Sequence, residues 1–577
     1  MINYLRFLIL SSLFAVSSPF VFGQLPVNAP WEYDAPNRPV VLIEADRYVY
    51  TLGEYATADR ILRSTIAGRN YNSAVTEFLV WEDRISGDQW FYNYLIGFSK
   101  EPIDISGEPG QLQTRTVGRK AQFKLFSNSA ASGNPFPTEL PSDTGLYAWR
   151  YELRNEDGTK TIARSYALYS IVDEIVEVQG DINKDILWSA DNAYHLNGRV
   201  NVAQNSVLTI EPGTVVMGGT DELSLLNIES GSRIVADGEV TKPIIFTSDK
   251  PLGERATSDW GGIIINGDAP VNEPNAEGEG GTGRYGGNNP NHDGGVLRYV
   301  RIEFSGRIFS EVDELNGLTL QGCGDGTILD HVQIHHPSDD GIEFFGGTVN
   351  ARNLLMTGCG DDSLDWTYGY QGKLQNLVMI QLFSEADKGI EADNHTTNFD
   401  AQPRSKPTIY NATFLGLAIS QPDKAKQSNA ILMRRGSGGL VYNTIFAGFG
   451  GMSAGIESVA SASLHADGGL VVENCVFYQN FLLARTLSEK LPNEELVSRI
   501  MTDTANNNVF ANPGFTSINP EKPDLTPMPN SLAANPPTIA EPPADGFFKP
   551  VTYLGGIDPT DPNGPWVFAP WTTYSPN

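Results

Sequence analysis

The chain has 577 residues, and its 40 Lys and Arg against 69 Asp and Glu give a formal charge of −29. That balance excludes a counterion-releasing basic face for nucleic acid or anionic membrane, and it favours cations or basic partners. With 58 Gly, 36 Pro and 10% aromatic residues, the composition excludes a helical bundle and predicts many short strands joined by turns.

Residues 1–23 carry one charge, Arg6, ahead of an apolar run too short to span a bilayer, and read as a secretory signal cleaved near Gly23. The expected product is a secreted or cell-surface protein with no transmembrane segment in the mature chain. Its three cysteines, Cys323, Cys359 and Cys475, allow at most one bridge, so this is no disulfide scaffold. Residues 24–176 alternate strands and turns without an internal period. Asp143-Thr144-Gly145-Leu146-Tyr147 there resembles the tyrosine corner of immunoglobulin-like sandwiches, so a β-sandwich is predicted beside the alternative of another small all-β module.

Residues 177–481 are built as a stack. Segments beginning at Leu297, Leu329, Ala351, Leu374, Ile409, Val441 and Val472 superpose, and their fourth positions read Val300, Val332, Leu354, Leu377, Ala412, Thr444 and Cys475. The position before these reads Tyr299, His331, Asn353, Asn376, Asn411, Asn443 and Asn474, a column expected to cap one bend on every coil. Fourth positions lie 32, 22, 23, 35, 32 and 31 residues apart, so the short steps are bare coils and the long ones carry loops. A second strand runs in register: Leu318, Ile342, Leu364, Ile390, Ile431 and Leu464 form one inner column, and Leu320, Phe344, Trp366, Ala392, Met433 and Ala466 the next. Small residues stand just before it. Residues 272–295 are Gly, Asn and acid rich and read as a surface loop. Residues 482–577 are predicted to hold a short amphipathic helix at 493–501 and an extended tail with 15 of the 36 prolines, laid against the coils.

The stack resembles the pectin-lyase-like superfamily of right-handed parallel β-helices, and more closely a group of secreted bacterial β-helix proteins of unassigned function. Leu208-Thr209-Ile210-Glu211-Pro212-Gly213-Thr214, Trp260-Gly261-Gly262-Ile263, Phe345-Gly346-Gly347-Thr348-Val349-Asn350-Ala351 and Tyr368-Gly369-Tyr370-Gln371-Gly372-Lys373 carry the resemblance. The fold class expected is therefore all-β: a parallel β-helix with an N-terminal β-sandwich and a Pro-rich tail. The resemblance says little about activity, because one fold hosts many functions.

Candidate chemistry lies in a repeated acidic motif: Ser338-Asp339-Asp340-Gly341-Ile342-Glu343, Gly360-Asp361-Asp362-Ser363-Leu364-Asp365 and Ala386-Asp387-Lys388-Gly389-Ile390-Glu391. Stacking at about 4.8 Å puts Glu343, Asp365 and Glu391 in one outward row, with Asp339, Asp361 and Asp387 in a second at the bend. Like charges so close repel by about 1 kcal/mol per pair in water and by more when buried, so a compensating charge is expected, such as Lys388, a cation or a bound proton. Three readings stay open. The row is a solvated acidic face; or it holds Ca²⁺ through Glu343, Asp365, Asp387 and Glu391; or it is catalytic. On the last reading Asp340, Asp361 and Asp362 resemble the three-aspartate centre of polygalacturonases, though the Gly-His-Gly of that family is missing from the next coil. A lyase would need an Arg base, for which Arg434 and Arg435 are the candidates. The main expectation is a polysaccharide- or glycan-binding protein, with Asp339, Glu343, Asp365, Lys388 and Glu391 touching the ligand. A polysaccharide-cleaving enzyme and a structural or adhesive module are the alternatives.

Overall fold

The computed structural model describes residues 40–575 with breaks, the longest at 104–112, 124–142, 420–427 and 487–503; side chains are described at 47–54, 143–148 and from 166 onward with breaks, the longest at 481–504. The expected signal at 1–23 and the expected helix at 493–501 lie outside the described residues.

Twenty-five strands, from Ile175–Ile182 to Leu482–Thr486, join in one continuous sheet whose pairings skip one to three strands in sequence and are parallel throughout. This is a parallel β-helix. Its middle coils alternate a long strand with a short one. The long strands are Gly295–Glu303, Ile328–His335, Asn350–Thr357, Lys373–Ile380 and Thr408–Leu415. The short ones, Leu318–Gln321, Ile342–Phe345, Leu364–Thr367, Ile390–Ala392 and Ile431–Met433, form a face called here the acidic sheet.

Each long strand turns a corner partway along, and one column explains how. Tyr299, His331, Asn353, Asn376, Asn411, Asn443 and Asn474 all have φ between 48° and 60°. Asn reaches this left-handed region at least cost among residues with a side chain, because its short amide bonds locally. Asn376 Nδ2 donates to Asn353 Oδ1 at 3.2 Å, and Asn353 Nδ2 to Asp330 Oδ1 at 2.8 Å, so the ladder runs between coils. Tyr299 and His331 replace the amides with a ring stack at 4.5 Å.

The core is the apolar lumen. Val300, Val332, Leu354, Leu377 and Ala412 pair coil on coil, as do Leu318, Ile342, Leu364, Ile390 and Ile431, and none exceeds 1% exposure. Small residues precede the second column because the next coil's backbone is there: a Cβ on Gly341 would lie 2.5 Å from Ser363 O. Past Met433 the expected column is in error. Leu432 and Met433 pair with Gly455 and Ile456 on Met452–Ile456, while Leu464 and Ala466 follow the helix Val459–Ser463. Met-Ser-Ala-Gly-Ile has too little β-branched character to be read as a strand, and the more apolar Leu464 drew the alignment.

Before the coils lie a three-stranded antiparallel sheet (Val40–Ala45, Arg60–Gly68, Gln113–Phe123) and a six-stranded sheet containing Val75–Ser86, Gly145–Asn155 and Thr161–Val172. Tyr147 Oη donates to Asp143 O at 3.0 Å. Residues 104–112 and 124–142 and most side chains of this region, on which an immunoglobulin-like assignment depends, lie outside the described residues. Val49, Leu146, Ala148, Leu168 and Val172 pack against Ala193, Val215 and Ile245 of the coils. At the same junction Arg301 is 2% exposed. It pairs with buried Glu303 at 2.8 Å and lies 5.5 Å from the Tyr48 ring centroid. A periodic pattern puts Arg301 on the outside of its coil, where little cost is expected on its loss; the N-terminal sheets cover that outside.

The last residues lie along another outer face. Leu355, Val378, Ile380, Leu415, Ile445 and Val476 share an apolar cluster with Phe515, Leu525, Leu554, Ile557, Val567 and Tyr574. Gln333 exchanges two bonds with the Thr573 backbone, and Gln375 two with that of Lys549, which replaces the ladder partners an outer strand lacks.

Candidate functional site

The acidic sheet carries Glu343, Asp365 and Glu391 on its outer side, in direct register on successive strands. Its short strands begin immediately after the bends that hold Asp339 and Asp340, Asp361 and Asp362, and Asp387 and Lys388. The two rows converge. Carboxylate oxygens of Asp339, Asp340 and Asp361 lie within 4.8 Å of one another, and so do those of Asp340, Glu343 and Asp365; of Asp361, Asp362 and Asp387; and of Asp362, Asp365 and Glu391. All eight expected acids thus form one patch of overlapping triads.

Cations serve one half of it. Lys388 Nζ lies 2.6 Å from Glu391, 2.9 Å from Asp387 and 3.5 Å from Asp362. Burial works against this ammonium, but Asp362, Glu391 and Asp387 outweigh it and hold the proton firmly. Arg434, two coils from Asp365 in the sheet, contacts Glu391 and forks onto Asp393 with both bonds at 2.9 Å; Arg435 reaches Asp393 at 2.6 Å. The sequence reading placed Arg434 and Arg435 near the patch but missed Asp393, their partner, which lies just past the end of a short strand. Those carboxylates outweigh burial and hold the Arg434 guanidinium protonated.

In the other half, no Lys or Arg ion pair reaches Asp340, Glu343 or Asp365 among the described residues. Asn316 Nδ2 donates to Glu343 Oε2 at 2.7 Å. Asp365 Oδ1 is buried with no hydrogen-bond partner among the described residues. Burial, then neighbouring carboxylates, raise the carboxyl groups of Asp340, Glu343 and Asp365 well above the usual range. Asp339 is pushed up to about 8 by burial, with Glu314 and Asp361 adding to it. Glu391 is also raised, chiefly by burial, although Lys388 and Arg434 pull it back. The ion-pair geometry makes it the most firmly charged of the outward row.

Asp340 and Asp362 have a further task. Asp340 Oδ1 accepts the Asp362 N–H at 2.9 Å, and Asp362 Oδ1 accepts the Lys388 N–H at 2.6 Å, so each carboxylate caps the bend of the following coil. This is the acidic counterpart of the Asn ladder. Asp362 is 2% exposed, whereas Asp361 is half-buried, so Asp361 is the more accessible of that pair.

The stretch 272–295 is irregular and much of it is exposed, as expected of a surface loop, but it is docked at several points. Asn272, Ala276, Thr282, Tyr285 and His292 are all below 9% exposure. Asn272 Nδ2 donates to Asn394 Oδ1 at 2.9 Å, and Glu273 sits 3.0 Å from His395 Nε2. His395 Nδ1 accepts the N–H groups of Thr397 and Asn398, so its proton lies on Nε2 and points to Glu273. The Tyr285 and Phe345 rings meet edge to face at 6.1 Å, and Tyr368 meets His395 likewise at 5.6 Å. Composition alone gave this segment its loop assignment; its docking uses side chains too sparse for periodicity to reveal.

Other residues with chemical potential are structural. Trp366 and Tyr370 are fully buried, bonded to Ser437 Oγ and Val349 O. His331 pairs with Asp330, His335 with Thr357 Oγ1 and Ser575 O. The three cysteines are free and buried.

A family model described as a pectate-lyase-like beta helix domain matches residues 180–517, and the chain belongs to that family. No curated protein matches the chain. Among solved structures, it is similar to catalytic domains of GH87 alpha-1,3-glucanase. One, in complex with tetrasaccharides, has 9% identity and a TM-score of 0.24, covering 84% of this chain and 99% of that one. Another, in complex with nigerose, has 10% identity and a TM-score of 0.25, covering 83% and 99%. No described helix is long and apolar enough to cross a membrane.

Proposed function

We propose that this protein is a carbohydrate-active enzyme that cleaves a glycan by general acid–base catalysis at the carboxyl patch. The observation that carries the reading is the convergence of Asp339, Asp340 and Asp361 within 4.8 Å on a β-helix face. Glycosidic cleavage needs one carboxyl group that keeps a proton at working pH and one that stays charged. Asp339, pushed up to about 8, is the donor: its proton goes to the glycosidic oxygen as the carbon–oxygen bond breaks. Asp361, half-buried beside it at the short separation of a retaining pair, attacks the anomeric carbon as that bond breaks, and water, giving its proton to the now ionised Asp339, then releases the sugar from Asp361. Asp340 and Asp362 position the two bends through their backbone bonds, and Lys388, Arg434 and Arg435 set the charge at the far end. The leader-like residues 1–23 support a polymer met outside the cytoplasm, and the Tyr147 bond supports reading the N-terminal sheets as an immunoglobulin-like sandwich.

A second reading shares the site. Asp340, Glu343 and Asp365 offer hard oxygen donors, one of them the buried Asp365 Oδ1 without a hydrogen-bond partner among the described residues, and this set fits Ca²⁺. The ion would supply positive charge for holding an anionic sugar.

The test is reducing-end release from a panel of neutral and uronate polysaccharides by the wild type and by Asp339→Asn and Asp361→Asn. Both variants should lose at least a hundredfold in rate while still unfolding in one cooperative transition above the assay temperature. Saturable glycan binding with no product from any polymer would replace the enzyme reading with a binding protein. The acids are too buried for the solvated face expected from sequence, so neither binding nor cleavage would leave a structural patch whose carboxyls cap the bends.

A further inference from the structure

Resting on that reading, we infer that the site takes the end of a glycan chain and not its interior. The outward row of the acidic sheet continues toward the N-terminus through Thr319, Ile264 and Asn227, by direct register with Glu343. An open cleft would leave these residues available to sugars on the preceding coils. All three are at most 2% exposed, as are Gln321 and Asn266 in the neighbouring row.

Two segments cover them. The Thr282 carbonyl of the 272–295 insert accepts from Asn227 Nδ2 at 3.1 Å and from Asn266 Nδ2 at 3.0 Å. Leu315, at the end of the hairpin Arg307–Ser310 and Asp313–Leu315, packs on Ile264 and Leu225. Arg199 fastens the insert from below through the Gly280 and Gly281 carbonyls, and Glu273 with His395 fastens it at its start. The wall ends where the acids begin: Asn316 binds Glu343, and Tyr285 packs on Phe345 on the same strand. The carboxyl patch therefore lies against a closed end. Past Glu391 the outward row runs to Leu432, 5% exposed, so the approach is over the bend, where Asp361 and Asp387 are half-buried and the Arg435 side chain is 38% exposed.

From Glu343 to the coil of Arg434 is three strand spacings, about 15 Å. That length accommodates a short terminal stretch of a chain. A polymer threading through would need the room that Thr282, Tyr285 and Leu315 fill.

The experiment measures binding of a ladder of oligosaccharides of increasing length by calorimetry, and viscosity against reducing ends on the parent polymer, with the intact protein. Affinity should stop rising once the oligomer exceeds about 15 Å, and viscosity should fall slowly while reducing ends accumulate. Arg199→Ala, which releases the turn at Gly280 and Gly281, should speed the viscosity fall per bond cleaved. Affinity that climbs with every added sugar, or a viscosity collapse at the first few cleavages, overturns the closed end and leaves the proposed activity standing. Absence of both binding and cleavage removes that activity and this inference together.

Discussion

Replacing Asp339 by Asn removes one titrating group from the bend without changing its shape, and its effect on stability has a definite sign. The folded-state value of about 8 lies above the ordinary 3.8, so between these values the native state holds a proton that the unfolded chain has released. Stability is then greatest at acid pH and falls as pH rises through that window. A shift of about four units at about 1.4 kcal/mol each is on the order of 5–6 kcal/mol, shared between Asp339 and the carboxyl groups it titrates with. At 5% exposure, solvent screens little of it. Denaturant unfolding followed by circular dichroism, with chelator present and pH stepped from about 5 to about 8, should show the wild type losing stability. The Asn variant should lose it less steeply, by up to about 1.4 kcal/mol per pH unit. Parallel curves, or a wild type that gains stability toward neutral pH, would refute the shared-proton account of the patch.

Adding Ca²⁺ at about a hundred times its Kd should stabilise the wild type by about 2.7 kcal/mol, and Asp365→Asn should abolish that gain; calorimetry checks both. Lys388→Met leaves Asp362, Asp387 and Glu391 without their ammonium and should cost about 3–5 kcal/mol at neutral pH, with recovery on acidification in thermal melts. Arg301→Ser strands the buried Glu303 and should cost about as much; a loss near zero would mean the N-terminal sheets do not cover it. Leu354→Ala, fully inside the lumen, should cost about 2–5 kcal/mol by denaturant unfolding.

Periodicity made the coils legible. Inner positions alternate strictly and repeat every turn, so Val332 over Val300 and Trp366 over Phe344 were readable from spacing alone, as was the vertical alignment of Glu343, Asp365 and Glu391. The Asn column was legible for a different reason: one backbone conformation recurs, and few side chains tolerate it. What lay beyond reach is what one part of the chain does to another. Arg301 reads as solvated until Tyr48, some two hundred and fifty residues earlier, is laid on it. The insert at 272–295 reads as a loop without partners until its Thr282 carbonyl meets Asn227 and Asn266. Arg434 pairs with Asp393 across 41 residues of sequence, a separation at which spacing rules say nothing. The same blindness left the acids without an assigned protonation state, since burial and not sequence sets it.

The claim that sugar chemistry happens at the carboxyl patch is tested most directly by solving the structure of Asp361→Asn with an oligosaccharide that the wild type cleaves. The account expects a sugar seated between Asp339 and Asp365, its glycosidic oxygen within hydrogen-bond reach of Asp339 and its terminus against the wall at Tyr285. A sugar bound elsewhere on the coils, with the patch untouched, would contradict it.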